Sequence, residues 1–189
     1  MKKQIIEIAK KRYGSDFFNF HIKPVVKNAL AVAEKLEEKI DLEVVEIAAY
    51  LHDIARFREP GKFGLSEDHH IVGVEMAEKL MKEHGYKESF IEKVKHCILT
   101  HRGKKGPRPE TIEARIVATA DAMVHFDGFL YAFKLFVENH KIFEDILEKV
   151  EQKMMRSWQK ITIPQARDII RDKYEAAMLL IKSMRSYTR

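Results

Sequence analysis

Cysteine is almost missing. Cys97 is the single one in 189 residues, which excludes an intrachain disulfide and agrees with a reducing cytoplasm. The 8 Gly and 5 Pro leave few breaks, which favours long helices over many short strands. No apolar run approaches the ~20 residues of a membrane-spanning helix, so no membrane association is expected. The opening stretch Met1-Lys2-Lys3-Gln4-Ile5-Ile6-Glu7 has no apolar h-region, so no secretory signal peptide is expected. Charge of one sign is also scarce: 34 Lys and Arg against 29 Asp and Glu leave a formal net charge of +5. The two signs interleave, as in Glu34-Lys35-Leu36-Glu37-Glu38-Lys39, a pattern of solvated helix faces. Charge dispersed in this way makes no nucleic-acid-binding surface. One basic loop stands apart, Arg102-Gly103-Lys104-Lys105-Gly106-Pro107-Arg108-Pro109. With 46% hydrophobic and 33% charged residues, the composition is that of a folded chain.

Helical periodicity is what the chain does have. Helices are expected over Lys2 to Arg12, from Pro24 to about Lys39, and from Leu42 to about Phe57 with Asp41 as cap. Further helices are expected from Ser66-Glu67-Asp68 to Gly85, Glu88 to His101, Glu110 to Phe126, Ile142 to Trp158 and Pro164 to about Ser183. No strand is expected. The fold class is an all-α, single-domain helical bundle.

Three places in this pattern carry chemistry. His52-Asp53 adjoins the strongest apolar stripe (Val44, Ile47, Ala48, Leu51), where an ionised carboxylate is costly unless paired. A divalent metal and Arg56 are both available partners. Asp121 shares a helical face with Val117, Ala120 and Val124, so it too demands a partner. Arg115 is about 240° away round that helix, and a metal is the economical answer. His21, before Pro24, completes a set of two His and two Asp suited to Mn, Fe, Co, Ni or Mg.

The order His21, His52-Asp53, Asp121 resembles the HD-domain superfamily of metal-dependent phosphohydrolases. The flanks resemble it too: Ala48-Ala49-Tyr50-Leu51-His52-Asp53-Ile54 is similar to its central motif and Glu113-Ala114-Arg115-Ile116-Val117-Ala118-Thr119-Ala120-Asp121 to its closing one. The likeness covers about residues 18–129, and about 130–189 resembles the helical tail of small bacterial members. It implies that His21, His52, Asp53 and Asp121 ligate one divalent ion and that Asp53 also positions the attacking water. It further implies that His69, before Gly73, and His101 hold a second metal or contact the substrate phosphate. His70 lies on an equally apolar stripe, so periodicity leaves His69 and His70 unseparated, whereas the resemblance selects His69. His101 shares a face with Ile91, Val94 and Ile98, while His96 points to the solvated side and His140 has no motif behind it.

Departures from the family's subgroups narrow the reading. Ile54-Ala55-Arg56 follows the dipeptide where alarmone hydrolases place acidic residues, and His101-Arg102-Gly103 is not the extended signature of cyclic-dinucleotide phosphodiesterases. The chain is also shorter than the large deoxyguanosine triphosphatases. The expectation is a cytoplasmic phosphohydrolase acting on a small phosphate-bearing molecule, in first place a nucleotide. Arg56, Lys104 and Lys105 are candidates to bind phosphate oxygens, with Arg102 a further one. The alternatives are a di-iron oxygenase on the same ligand set and a non-catalytic metal- and nucleotide-binding module. Monomer and homo-oligomer fit the sequence equally.

Overall fold

Apolar residues at helical spacing produce helices along most of the chain. The computed structural model describes residues 1–59, 62–63, 69–102, 106–129, 133–134, 137 and 142–186. Helix α1 spans Lys2–Tyr13 and ends at Gly14, whose φ of 73° is the left-handed conformation glycine tolerates. Helix α2 (Ser15–Phe17), a π-helical turn (Phe18–Ile22) and α3 (Lys23–Ala33) then run on without interruption. Pro24 was expected to open this helix, but it lies inside it. Proline has no N–H to donate, and its ring crowds the preceding turn. The widened turn absorbs both effects, and Lys23 N–H donates to Phe18 O in the π manner.

Asp41 caps α4 (Leu42–Leu51), its side chain accepting from Val44 N–H at 3.3 Å. That helix stops six residues before the expected end at Phe57. Asp53 takes φ −111°, ψ 16°, the bridge region, and Ile54–Arg56 form a single 3₁₀ turn. Strands β1 (Phe57–Glu59) and β2 (Lys62–Phe63) pair antiparallel, Phe57 opposite Phe63 and Glu59 opposite Lys62. This hairpin corrects the strand-free expectation; its strands are too short to show alternation in the sequence. Helices α5 (His69–Glu83), α6 (Glu88–Thr100) and α7 (Ile112–Asp127) follow, then α8 (Phe143–Lys160) and α9 (Pro164–Arg185). The start expected for α5 at Ser66 to Asp68 and residues 130–132 lie outside the described residues.

Helix α7 is the axis of the bundle. Helices α3, α4 and α6 pack on it, as do α8 and α9. Eleven of its residues are buried, from Ala114 to Phe126, which is why its sequence is apolar nearly all round. Its start is held by Thr111, whose Oγ1 accepts from Ala114 N–H at 3.2 Å. Its end is tied by Asp127, which accepts from Asn28 Nδ2 at 2.6 Å and pairs with Lys173 of α9. Trp158 of α8 stacks on Tyr174 of α9 at 4.2 Å, joining the two C-terminal helices. Among the described residues no helix is long and apolar enough to cross a membrane.

Candidate metal centre

Three elements deliver side chains to one point inside the bundle. The π turn presents His21, with the Phe17 ring 4.7 Å from its imidazole. The end of α4 presents His52 and Asp53, both buried, and α7 presents Asp121 from its buried face. His21 Nε2 stands 3.3 Å from His52 Nε2, 3.4 Å from Asp53 Oδ2 and 3.5 Å from Asp121 Oδ1. His52 Nε2 stands 3.5 Å from Asp53 Oδ2 and 3.8 Å from Asp121 Oδ1.

Those distances test whether an ion fits. Donor atoms held about 2.0–2.3 Å from one ion stand about 3–4 Å from each other, and the five separations above span 3.3–3.8 Å. The protonation states agree. His52 Nδ1 lies 2.8 Å from Ala49 O, and a carbonyl only accepts, so Nδ1 carries the hydrogen. Burial, outweighing the pull of Asp53 and Asp121, moves the His52 imidazole down to about 4. A neutral imidazole so anchored aims a bare lone pair at carboxylate oxygens. Lone pairs facing lone pairs repel, and a cation between them removes the conflict. The donor set fits a divalent ion.

Asp53 has a second side. Its Oδ1 lies 3.3 Å from His69 Nε2 and 3.5 Å from His101 Nε2, and His101 Nδ1 donates to Ile98 O at 2.6 Å. Arg56 Nε is 2.7 Å from the same Oδ1, although among the described residues no aligned hydrogen bond reaches that oxygen. Burial opposes ionisation of Asp53, but Arg56 and His52 beside it hold its carboxyl well below the usual range. Asp53 thus belongs to two clusters able to hold a metal, one with His21 and His52 and one with His69 and His101.

Residues 20–125, more than half of the chain, match the family model of the HD domain. The chain belongs to the HD-domain family. Two solved structures share its fold. A predicted HD superfamily hydrolase from an uncultured Thermotogales bacterium is 23% identical, with a TM-score of 0.64 over 99% of this chain and 92% of that one. Bacillus subtilis YpgQ in complex with ADP is 20% identical, with a TM-score of 0.74 over 98% of this chain and 97% of that one. No curated protein sequence matches the chain. Membership in the HD-domain family supports a metal-dependent hydrolase in general terms.

Within this HD domain the structure brings together six of the residues singled out from the sequence: His21, His52, Asp53, Asp121, His69 and His101. Of the neighbouring histidines, His69 faces Asp53, while His70 Nδ1 lies 3.5 Å from Arg102 Nη1. Arg56 reaches the site by way of Asp53, and Lys104, Lys105 and His140 fall outside the described residues. His96 was expected to be solvated, but it is half-buried and its Nε2 accepts from Glu110 N–H at 3.2 Å, capping the approach to α7.

One further expectation changes. The sequence offers Asp121 a metal as its economical partner, Arg115 lying off its helical face. Lys160 of α8 is 2.6 Å from Asp121 Oδ2, which leaves Oδ1 for His21 and His52. Burial works against the Asp121 charge, but Lys160 and His52 hold its carboxyl well below the ordinary range. Ser157, one turn before Lys160, places its Oγ 3.1 Å from His125 Nδ1, four residues after Asp121. In the sequence His125 has no motif behind it, and neither Ser157 nor Lys160 belongs to one. The one signal for Ser157 and Lys160 is a polar row beside the apolar stripe of α8.

Proposed function

We propose that this HD domain is a metal-dependent phosphohydrolase that cleaves a phosphomonoester or phosphoanhydride of a small molecule, foremost a nucleotide. The observation that carries the proposal is the Asp53 carboxylate, with Oδ2 toward His21 and His52 and Oδ1 toward His69 and His101. His21, His52, Asp53 and Asp121 would hold the ion. When bound, a divalent ion supplies a water of lowered pKa and neutralises phosphoryl charge. Asp53 Oδ1 orients the attacking water, and His69 and His101 aim Nε2 at the phosphoryl group from the same side. The Nδ1 anchor of His101 on Ile98 O keeps that ring aimed without further ordering. Arg56, charged and partly exposed, receives phosphoryl oxygens. The nucleotide preference draws support from the likeness to YpgQ, which was crystallised with ADP.

A second reading follows from the two clusters that share Asp53. With His69 and His101 as ligands, the centre is dinuclear, and two irons there would point to oxygen chemistry. Metal analysis of the purified protein separates the readings. The principal test is phosphate release from nucleotides and sugar phosphates with Mn, Co, Ni and Mg, for the wild type and Asp53→Ala. Release is expected from the wild type only with metal, and from the variant not at all while its helical circular dichroism is unchanged. Near-normal hydrolysis by folded Asp53→Ala protein would overturn the proposal.

A further inference from the structure

Helix α8 lies outside the His and Asp motifs, yet one of its faces turns toward them. Ile146, Leu147, Val150, Met154 and Ser157 are its buried side. Lys153, Ser157 and Lys160 stand at i, i+4 and i+7 along that side, so they share a face. Contacts fix two members of the row: Lys160 Nζ lies 2.6 Å from Asp121 Oδ2, and Ser157 Oγ lies 3.1 Å from His125 Nδ1. Lys153, one turn before Ser157, is half-buried. Among the described residues no hydrogen bond or ion pair occupies its amino group.

Its charge is felt in the site all the same. Burial pushes the Lys153 amine down to about 8, with Asp121 opposing and Lys160, Arg56 and Arg156 reinforcing. After burial itself, the charge of Lys153 is the next cause that lowers the His125 imidazole. Two carboxylates, Asp53 and Asp121, stand against three partly buried cations, Arg56, Lys153 and Lys160, and the exposed Arg156 adds a fourth positive charge. Asp53 has Arg56 at 2.7 Å and Asp121 has Lys160 at 2.6 Å, so Lys153 is the surplus charge. A partly desolvated ammonium with no counter-charge is costly, and a divalent ion in the centre enlarges the positive excess. The missing member is an anion. A phosphate group supplies both the charge and the acceptor oxygens that an ammonium can use.

We propose that Lys153 is the binding residue for a phosphate group of the substrate, held on the Asp121 and His125 side of the site. The inference rests on the phosphohydrolase reading and deepens it, because it makes phosphate charge a condition of binding. It also gives the C-terminal helices a part in substrate selection.

The test uses the full chain loaded with Mn, as wild type, Lys153→Met and Lys153→Arg. Inorganic phosphate binding is measured by calorimetry, metal content by elemental analysis, and KM and kcat with the best nucleotide found. Methionine keeps the length of the side chain and removes a desolvated charge, so the fold is not at stake. Lys153→Met is expected to weaken phosphate about tenfold or more and to raise KM more than it lowers kcat. Lys153→Arg should restore most of the binding, with metal content equal in all three. A wild type that binds no phosphate, a Lys153→Met protein that binds it as tightly, or a parallel loss of metal would each overturn the proposal. If phosphate binding depends on Lys153 but no nucleotide or sugar phosphate is hydrolysed, the subsite stands and the hydrolase reading falls. If hydrolysis is found with KM unchanged in Lys153→Met, the reverse holds.

Discussion

Lys160 Nζ stands 2.6 Å from Asp121 Oδ2, an ion pair that joins α8 to α7 across 39 residues of chain. Both side chains are largely buried, at 20% and 12% exposure, so the pair is only weakly screened by solvent. Removing one partner strands the other. Lys160→Met is therefore expected to lower stability by about 1–3 kcal/mol and to weaken metal binding about tenfold, because Asp121 loses the contact that orients it. Thermal unfolding and a metal titration check this. An unchanged melting temperature together with unchanged affinity would show that Asp121 is held in place by other means.

The second side of Asp53 makes a prediction about stoichiometry. Arg56 Nε is 2.7 Å from Oδ1, the oxygen that His69 and His101 face at 3.3 and 3.5 Å. A guanidinium in that position repels a second divalent ion. The wild type should bind one ion per chain. His69→Ala and His101→Ala should keep that ion while turnover drops by about 10². Elemental analysis beside a phosphate-release assay measures both quantities. Two ions in the wild type and one in each variant would reassign these imidazoles as ligands.

Gly73 offers a test of packing rather than chemistry. The family-like position suggests that glycine is needed, yet a Cβ built there would meet Ile98 Cγ2 at 3.5 Å, Ala55 Cβ at 3.8 Å and His52 O at 3.9 Å. Those are ordinary contacts, and the residue is helical. Gly73→Ala should therefore stabilise the protein by about 0.5–1 kcal/mol, through helix propensity and a less flexible unfolded chain. A fall in melting temperature would mean that the His52 backbone cannot take up the added methyl group.

Cys97 reports on the core. It is fully buried in α6, and burial pushes its thiol well above the usual range. The native protein should react with thiol reagents orders of magnitude more slowly than the same protein in denaturant. Rapid labelling under native conditions would show that α6 opens locally.

Much of the fold was legible because helices are local. The apolar stripes of α4, α6 and α7 repeat every three to four residues, Asp41 caps α4 as its position suggests, and Pro164 opens α9. Gly85, with φ 75°, follows α5, where His84 Nδ1 donates to Leu80 O at 2.8 Å. The hairpin at Phe57 to Phe63 and the π turn at Phe18 to Ile22 were not legible. Each spans too few residues for a period to emerge, and each is imposed by its surroundings.

The site divides along the same line. The sequence alone determined the order His21, His52-Asp53, Asp121, whose likeness to the HD-domain motifs implies that the four belong together. It also determined the apolar stripes beside His52-Asp53 and Asp121, which must turn inward. Only the tertiary structure decided which groups complete them. Periodicity gives the face on which a side chain lies, but not the neighbour it meets. His69 and His70 occupy equally apolar stripes, and the packing of α5 on α6 and on the Ile54–Arg56 turn directs His69 to Asp53. Lys160 meets Asp121 because α8 docks on α7, a contact between segments whose separation in sequence carries no local signal.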